Sequence, residues 1–228
     1  QIIQLSSLQT QLEMKSVTPD NFQAEVNIKE VVLENTVTTH GQFSYMELEG
    51  SVAPSNVGRA SLPVISKLIE VPYGAEIQVV INDFDEEIIN LNDYGIQRII
   101  PTQPSYSKST PDDQMVFVMD EQYYNTDALE NTELFSTEIL GVMRGARMGR
   151  IEIRPYRYNP VENTLVIYNN LDFTVNFIGA DLATTEEMKS KYYCHEFDGS
   201  YGAMINFQAP MAKDAFSNYN APIKYVLV

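Results

Sequence analysis

The chain has 228 residues, a length that suits one large all-β domain or two small ones and that can bury a core without disulfide staples. Its 15 Lys+Arg against 31 Asp+Glu give a formal charge of −16, which excludes a phosphate-backbone partner and fits a basic protein partner better. The single cysteine, Cys194, rules out an internal disulfide framework and a cysteine-based zinc site, and no apolar run approaches the roughly 18 residues of a membrane span.

Taken in order, the chain opens at Gln1 with neither Met nor the charged and apolar regions of a signal peptide, so it reads as a mature end left by signal removal or as a trimmed one. Residues 1–21 are a polar N-terminal segment, and the first strand is expected near Phe22, where Ala24, Val26 and Ile28 alternate with Gln23, Glu25 and Asn27. A second strand is expected over 37–48 and a central one over 62–71, which Pro72-Tyr73-Gly74 turns into a partner at 76–81. The acidic run Asp83, Asp85, Glu86, Glu87 reads either as a cation or acid-base site or as a solvated turn; it lacks the glycine spacing of a calcium loop, which favours the turn. Residues 101–111, PTQPSYSKSTP, form an extended connector, and 115–119 a further strand.

From residue 134 to residue 177 three runs repeat at period two: 151–154, 165–168 and 173–177. Asn159-Pro160 and Asn169-Asn170 separate them, and both pairs suit tight reversals, so a three-stranded meander is expected. Thr184 followed by Glu187 has the pattern of a capping box and predicts one helix over 184–193, with Met188 and Tyr192 towards the core. Residues 199–220 are small and polar. The fold class is therefore mainly β: a single-domain antiparallel β-sandwich or a curved half-barrel sheet with one or two short helices.

A nucleophile needs a base within hydrogen-bond reach. Cys194 and His195 are neighbours whose side chains would point to opposite faces of a strand, and His40 has no cysteine context, so no catalytic residue, metal or cofactor is expected. Arg144, Arg147, Arg150, Arg154 and Arg157 are five of the seven arginines, set within 14 residues and interleaved with Gly141, Gly145 and Gly149. They read either as internal ion pairing with an acidic chain or as a docking edge offering bidentate donors to another protein.

Four motifs, GRASLPVISKLIEVPYGAE (58–76), LNDYG (91–95), PTQPSYSKS (101–109) and STEILGVMRGARMGRIEIRPYRYNP (136–160), occur in one order and resemble the N-terminal propeptide of gingipain-type cysteine proteases, clan CD, family C25. The resemblance implies a non-catalytic prodomain over residues 22–198, a maturation linker over 199–221, and the start of the first catalytic-domain strand over 222–228. It implies a segment exported through the periplasm of a Gram-negative bacterium by type IX secretion to the medium or cell surface. Such a segment would act as folding chaperone and inhibitor of the cysteine protease catalytic domain of the same precursor, and be cut away on maturation.

In that family a loop enters the active-site cleft carrying a residue of the kind the enzyme cleaves after, which in gingipains is basic. Spacing against the family places Asn125, Thr126, Asp127 and Ala128 in this loop, with Asp127 at the position of the basic residue; the departure implies a protease that prefers Asp. The other reading of Asp127 is an ordinary exposed loop aspartate. Asp127-Ala128 recurs as Asp214-Ala215, beside Lys213, where a maturation cut is expected. The competing reading of the whole chain is a secreted β-sandwich binding or adhesion module for carbohydrate or a cell-surface protein, with its 14 tyrosines serving where tryptophan is absent.

Overall fold

The computed structural model describes residues 1–111 and 114–210. In chain order the strands are β1 Ile2–Gln4, β2 Gln11–Val17, β3 Asn21–Asn27, β4 Glu30–Thr38, β5 Gly41–Glu47, β6 Ile65–Glu70, β7 Glu76–Asn90, β8 Phe135–Met143, β9 Ala146–Ile153, β10 Tyr156–Asn159 and β11 Thr164–Ile178. The helices are short: α1 Glu121–Tyr124, α2 Leu182–Tyr192 and α3 Asp198–Tyr201. Among the described residues no helix is long and apolar enough to cross a membrane.

Three antiparallel sheets result. One is β1-β4-β5, one is β6-β9-β8, and the five-stranded one runs β10-β11-β3-β2 with β7 along the other side of β11. β3 shows how the sequence sets this out: its strict alternation puts Phe22, Ala24 and Val26 on one face, and all three are sealed from solvent. They join Leu33 of β4, Ile69 of β6, Ile151 of β9 and Phe173 of β11 in one core fed by all three sheets. The fold is mainly β and antiparallel around a single main core with a few short helices, as the sequence predicts.

Several elements depart from expectation for identifiable reasons. The runs at 165–168 and 173–177 belong to one strand, β11, and no reversal separates them. Asn170 takes a left-handed backbone (φ 47°) at a bulge opposite β7, while Asn169 stays buried in the sheet, so a pair that could have turned the chain twists it instead. β9 pairs with β6 and β8 and not with β11, so the expected meander is absent. The single strand expected at 37–48 is the turn and second arm of the β4–β5 hairpin. The acidic run is no turn either: Asp83 to Glu87 lie within β7. Two strands form within 1–21, where none was expected: β1 pairs with β4 and buries Ile3, and β2, an otherwise polar edge strand, packs Leu12 and Met14 on the core.

Residues 115–119 form no strand. Their backbone is held by a side chain, with the Val118 N–H donating to Gln103 Oε1 and Gln103 Nε2 donating to the Val118 carbonyl, both at 2.9 Å.

The chain after β11 returns to the β6 edge. Asp181, three residues before the expected cap, accepts from the Thr184 N–H (2.9 Å) and hydroxyl (2.7 Å), and these bonds hold its carboxyl below the usual range. α2 therefore starts earlier and buries Thr185 and Lys189, leaving Tyr192 exposed. Gly145, second residue of the left-handed Arg144-Gly145 turn between β8 and β9, lets the helix come close: a Cβ there would lie 2.3 Å from the Met188 carbonyl oxygen.

Within the expected 199–221 linker, residues up to Phe207 are packed. Tyr201 and Met204 are buried with Ala146 in a small second cluster, and Ile205 donates its N–H to the Leu68 carbonyl at 3.0 Å. Asn206 completes the seam, its Oδ1 accepting from the Glu70 N–H (2.7 Å) and its Nδ2 donating to the Glu70 carbonyl (2.9 Å). The expected cleavage residues Lys213, Asp214 and Ala215, and the segment 222–228, lie outside the described residues.

Candidate functional site

The expected loop is an exposed five-residue tip, 125–129, between two buried feet. The descending foot is α1, a single turn. The Asp120 carboxylate accepts from the Tyr123 N–H at 3.0 Å and caps it, while the Asn125 side chain donates to the Glu121 carbonyl (2.8 Å) and the Thr126 hydroxyl to the Gln122 carbonyl (2.7 Å). Asn125 and Thr126 thus close the helix end instead of reaching outward.

Beneath them Tyr123 and Tyr124 are buried in edge-to-face contact, ring centroids 5.1 Å apart. The Tyr124 hydroxyl donates to the Ile99 carbonyl at 2.6 Å, the Ile99 N–H donates to the Tyr158 hydroxyl at 3.3 Å, and that hydroxyl donates to Asn163 Oδ1 at 2.6 Å. Burial pushes the ionisation of Tyr123 and Tyr124 far above the ordinary phenol value and that of Tyr158 up to about 12, so all three stay neutral donors.

The ascending foot is fixed by charge. The Glu130 side chain, 8% exposed, receives Arg59 at 3.4 Å and the Tyr123 hydroxyl at 3.4 Å, and its N–H donates to the Tyr158 carbonyl. Arg157 is buried, and its guanidinium donates to the carbonyls of Thr132, Arg154 and Tyr156. Gly58, first residue of the 58–76 motif, supports the other foot: its carbonyl accepts from the Asp120 N–H at 2.9 Å, and a Cβ at its φ of 86° would meet that nitrogen at 3.1 Å.

Asp127 and Ala128 stand at the exposed tip. One carboxylate oxygen of Asp127 accepts from Asn159 Nδ2 at 2.8 Å; Asn159 is itself held through Oδ1 by the N–H groups of Val161 (3.0 Å) and Glu162 (3.3 Å). The other oxygen has no hydrogen-bond partner among the described residues. The arrangement offers an exposed tip with rigid ends and one carboxylate half-tethered at its centre.

The five arginines are engaged inside the chain. Arg144 lies 3.9 Å over the Phe197 ring, Arg147 donates to the carbonyls of Pro72 (2.8 Å) and Ala75 (3.0 Å), and Arg150 pairs with Glu138 (2.6 Å) and Glu152 (3.4 Å). Arg154 pairs with Glu152 at 2.6 Å, and Arg157 anchors the tip as described. Arg144, an exposed residue, and Arg150, with 41% of its side chain exposed, keep a substantial outward surface. Cys194 and His195 turn to different carboxylates, Glu196 and Asp198, and do not meet. His40 stacks on Phe117 at 4.4 Å.

Spacing against the family pointed to residues 125–128, and sequence reasoning missed the groups that hold them: Tyr123, Tyr124, Glu130, Arg59 and Asn159. Gly58 and Arg59 open a motif that the sequence did single out, and that was the available signal.

The propeptide family Propeptide_C25 matches residues 8–216. Lys-gingipain of Porphyromonas gingivalis is 32% identical over 211 residues, 91% of this chain and 12% of the relative, and the Lys-gingipain of isolate HG66 is 31% identical over the same span. The chain therefore spans about an eighth of the length of these curated relatives. Among solved structures, one on the zymogenic latency of gingipain K from P. gingivalis superposes with a TM-score of 0.74 at 33% identity, covering 79% of this chain and 99% of that one. A complex of the pro- and mature domains of RgpB from the same organism superposes at 0.69 over 87% of this chain and 98% of that one; at 19% identity it shows a shared fold alone.

Proposed function

The chain belongs to the C25 propeptide family, a family of non-catalytic prodomains, and from that premise we propose that it keeps the cysteine protease domain of its own precursor latent by laying the 125–129 tip across the active-site cleft. The observation that carries the reading is the contrast between the exposed tip and the buried, fully bonded feet at Tyr124 and Glu130. A peptide so supported can add main-chain hydrogen bonds along a cleft while its anchored ends resist departure after any cut. Asp127 is the specificity-pocket residue, and the pocket that accepts it is basic. Entry exchanges the bond from the neutral Asn159 amide to the Asp127 carboxylate for one from a cationic pocket donor, in which both partners carry charge. Arg150 adds a rim contact.

The segment also assists folding of the protease, leaves the cell with it, and is released by a cut near Lys213 or Asp214. The core that must fold first runs to Phe207, and the linker follows it.

The test mixes the chain with the protease domain of the same precursor and follows reporter peptides ending in Asp, Arg or Lys, with Asp127→Ala alongside. The expected result is cleavage after Asp, blocked by the native chain and less well by the variant, by about 2–4 kcal/mol, the range of a hot-spot truncation. Equal inhibition by both removes Asp127 from the pocket, and an active enzyme left uninhibited sinks the latency reading.

A further inference from the structure

β7 is a 15-residue strand that pairs with β11 along one side; among the described residues no strand pairs with its other side and no backbone-to-backbone hydrogen bond reaches it. A long open edge is a template for another strand, and proteins that do not use one blunt it. This edge is charged, yet it also leaves Val80, Ile81, Phe84 and Ile88 at 41–65% exposure, which blunting does not explain.

Its charge selects the occupant. Asp83, Asp85, Glu86 and Glu87 have no Lys or Arg partner within ion-pair distance among the described residues. Asp85 accepts from the Asn170 side chain, Asp83 from the N–H of Phe84, and Glu87 from the Asn169 side chain and from the N–H (3.2 Å) and hydroxyl (2.7 Å) of Ser6, all neutral donors. A second copy of this chain paired along the same edge would bring two acidic runs together, and like charges directly opposite destabilise a strand pair. A segment alternating Lys or Arg with aliphatic residues would meet both the charges and the apolar side chains.

The edge is also continuous with the tip. Phe84 on β7 packs edge-on to Tyr168 on β11 at 5.0 Å, and Arg157 on β10, which holds the Thr132 foot, lies 5.5 Å over the same ring. We infer that the outer edge of β7 accepts an extended, basic segment of the protease domain as an additional strand, so that the propeptide grips the enzyme at a second place beside the tip. The inference rests on the latency reading above, which supplies the partner.

The test is hydrogen exchange on the intact chain, alone and with the protease domain of the same precursor, together with binding of the Asp83→Lys/Glu86→Lys variant at low and high salt. The expected result is slowed exchange of amides within 78–88 in the complex, retained when Asp127→Ala is used, with the charge variant bound about tenfold or more weaker and with a flatter salt dependence. The melting temperature of the variant alone reports its folding, and the exchange data on the unaltered chain do not depend on it. A complex in which 78–88 exchanges as in the free chain overturns the second grip and leaves the latency reading standing. Absence of any complex overturns both.

Discussion

Replacing Lys189 by Met tests the join between the C-terminal segment and the sheets. The ammonium lies 3.1 and 3.4 Å from the two carboxylate oxygens of Glu70, and both side chains are under a tenth exposed. Two unit charges at that separation attract by about 5 kcal/mol at an effective dielectric near 20. The Glu186 contact, also 3.1 Å, involves a carboxylate 57% exposed and adds little. The Gln208 carbonyl that Lys189 also donates to belongs to an exposed residue and can take water instead.

Met preserves most of the buried stem, so the loss is that of a carboxylate left alone, about 3–5 kcal/mol. For a chain of this length that lowers the melting temperature by roughly 6–20 °C. Burial already raises the Glu70 carboxyl above its ordinary value, with Lys189 pulling it back, and the variant raises it further. A raised carboxyl favours the folded state fully below its unfolded value and loses that contribution as pH climbs through the folded one. Thermal melts from pH 5 to pH 8 should therefore show the deficit of the variant growing with pH, and Glu70→Met in the same chain should restore most of it. A deficit independent of pH, or a double variant no better than the single, would refute the reasoning.

Gly145→Ala should cost about 3 kcal/mol or more, since it adds left-handed strain and drives a Cβ into the Met188 carbonyl; exchange at 182–207 should rise ahead of the rest, and an unchanged melt would show that the helix can step back. Tyr124→Phe leaves the Ile99 carbonyl without its 2.6 Å donor and should lower urea stability by about 1–2 kcal/mol while loosening the tip; equal stability would mean that the foot does not depend on this bond.

The parts of the fold visible in the sequence were those where one rule governs alone. β3 alternates cleanly because one face is core and the other is not. β11 hides its continuity because Asn169 and Asn170, good turn formers, are spent on a buried bond and a bulge. The β7 run reads as a turn because nothing local shows that 13 register pairs with β11 hold it extended. Residues 125–128 were singled out by spacing against the family, whereas the feet on either side of them depend on contacts across the chain, such as Tyr124 with Ile99 and Arg59 with Glu130. The arginine cluster was legible as a cluster, but which carbonyls and carboxylates answer it is a matter of tertiary placement.

Three side-chain amides do the work of a neighbouring strand: Gln103 on Val118, Asn169 on Ile28 and Asn206 on Glu70, each offering one acceptor and one donor to a single residue's backbone at 2.7–2.9 Å. An amide can do this because its two ends differ, and a carboxylate cannot, having two acceptors and no donor. Deamidation at any of the three would thus set an oxygen against a carbonyl and, at Asn169 and Asn206, place a new charge where water does not reach. A change of one mass unit, invisible to composition and nearly so to shape, would open a seam, so the age of a preparation belongs among the determinants of how firmly this domain is closed.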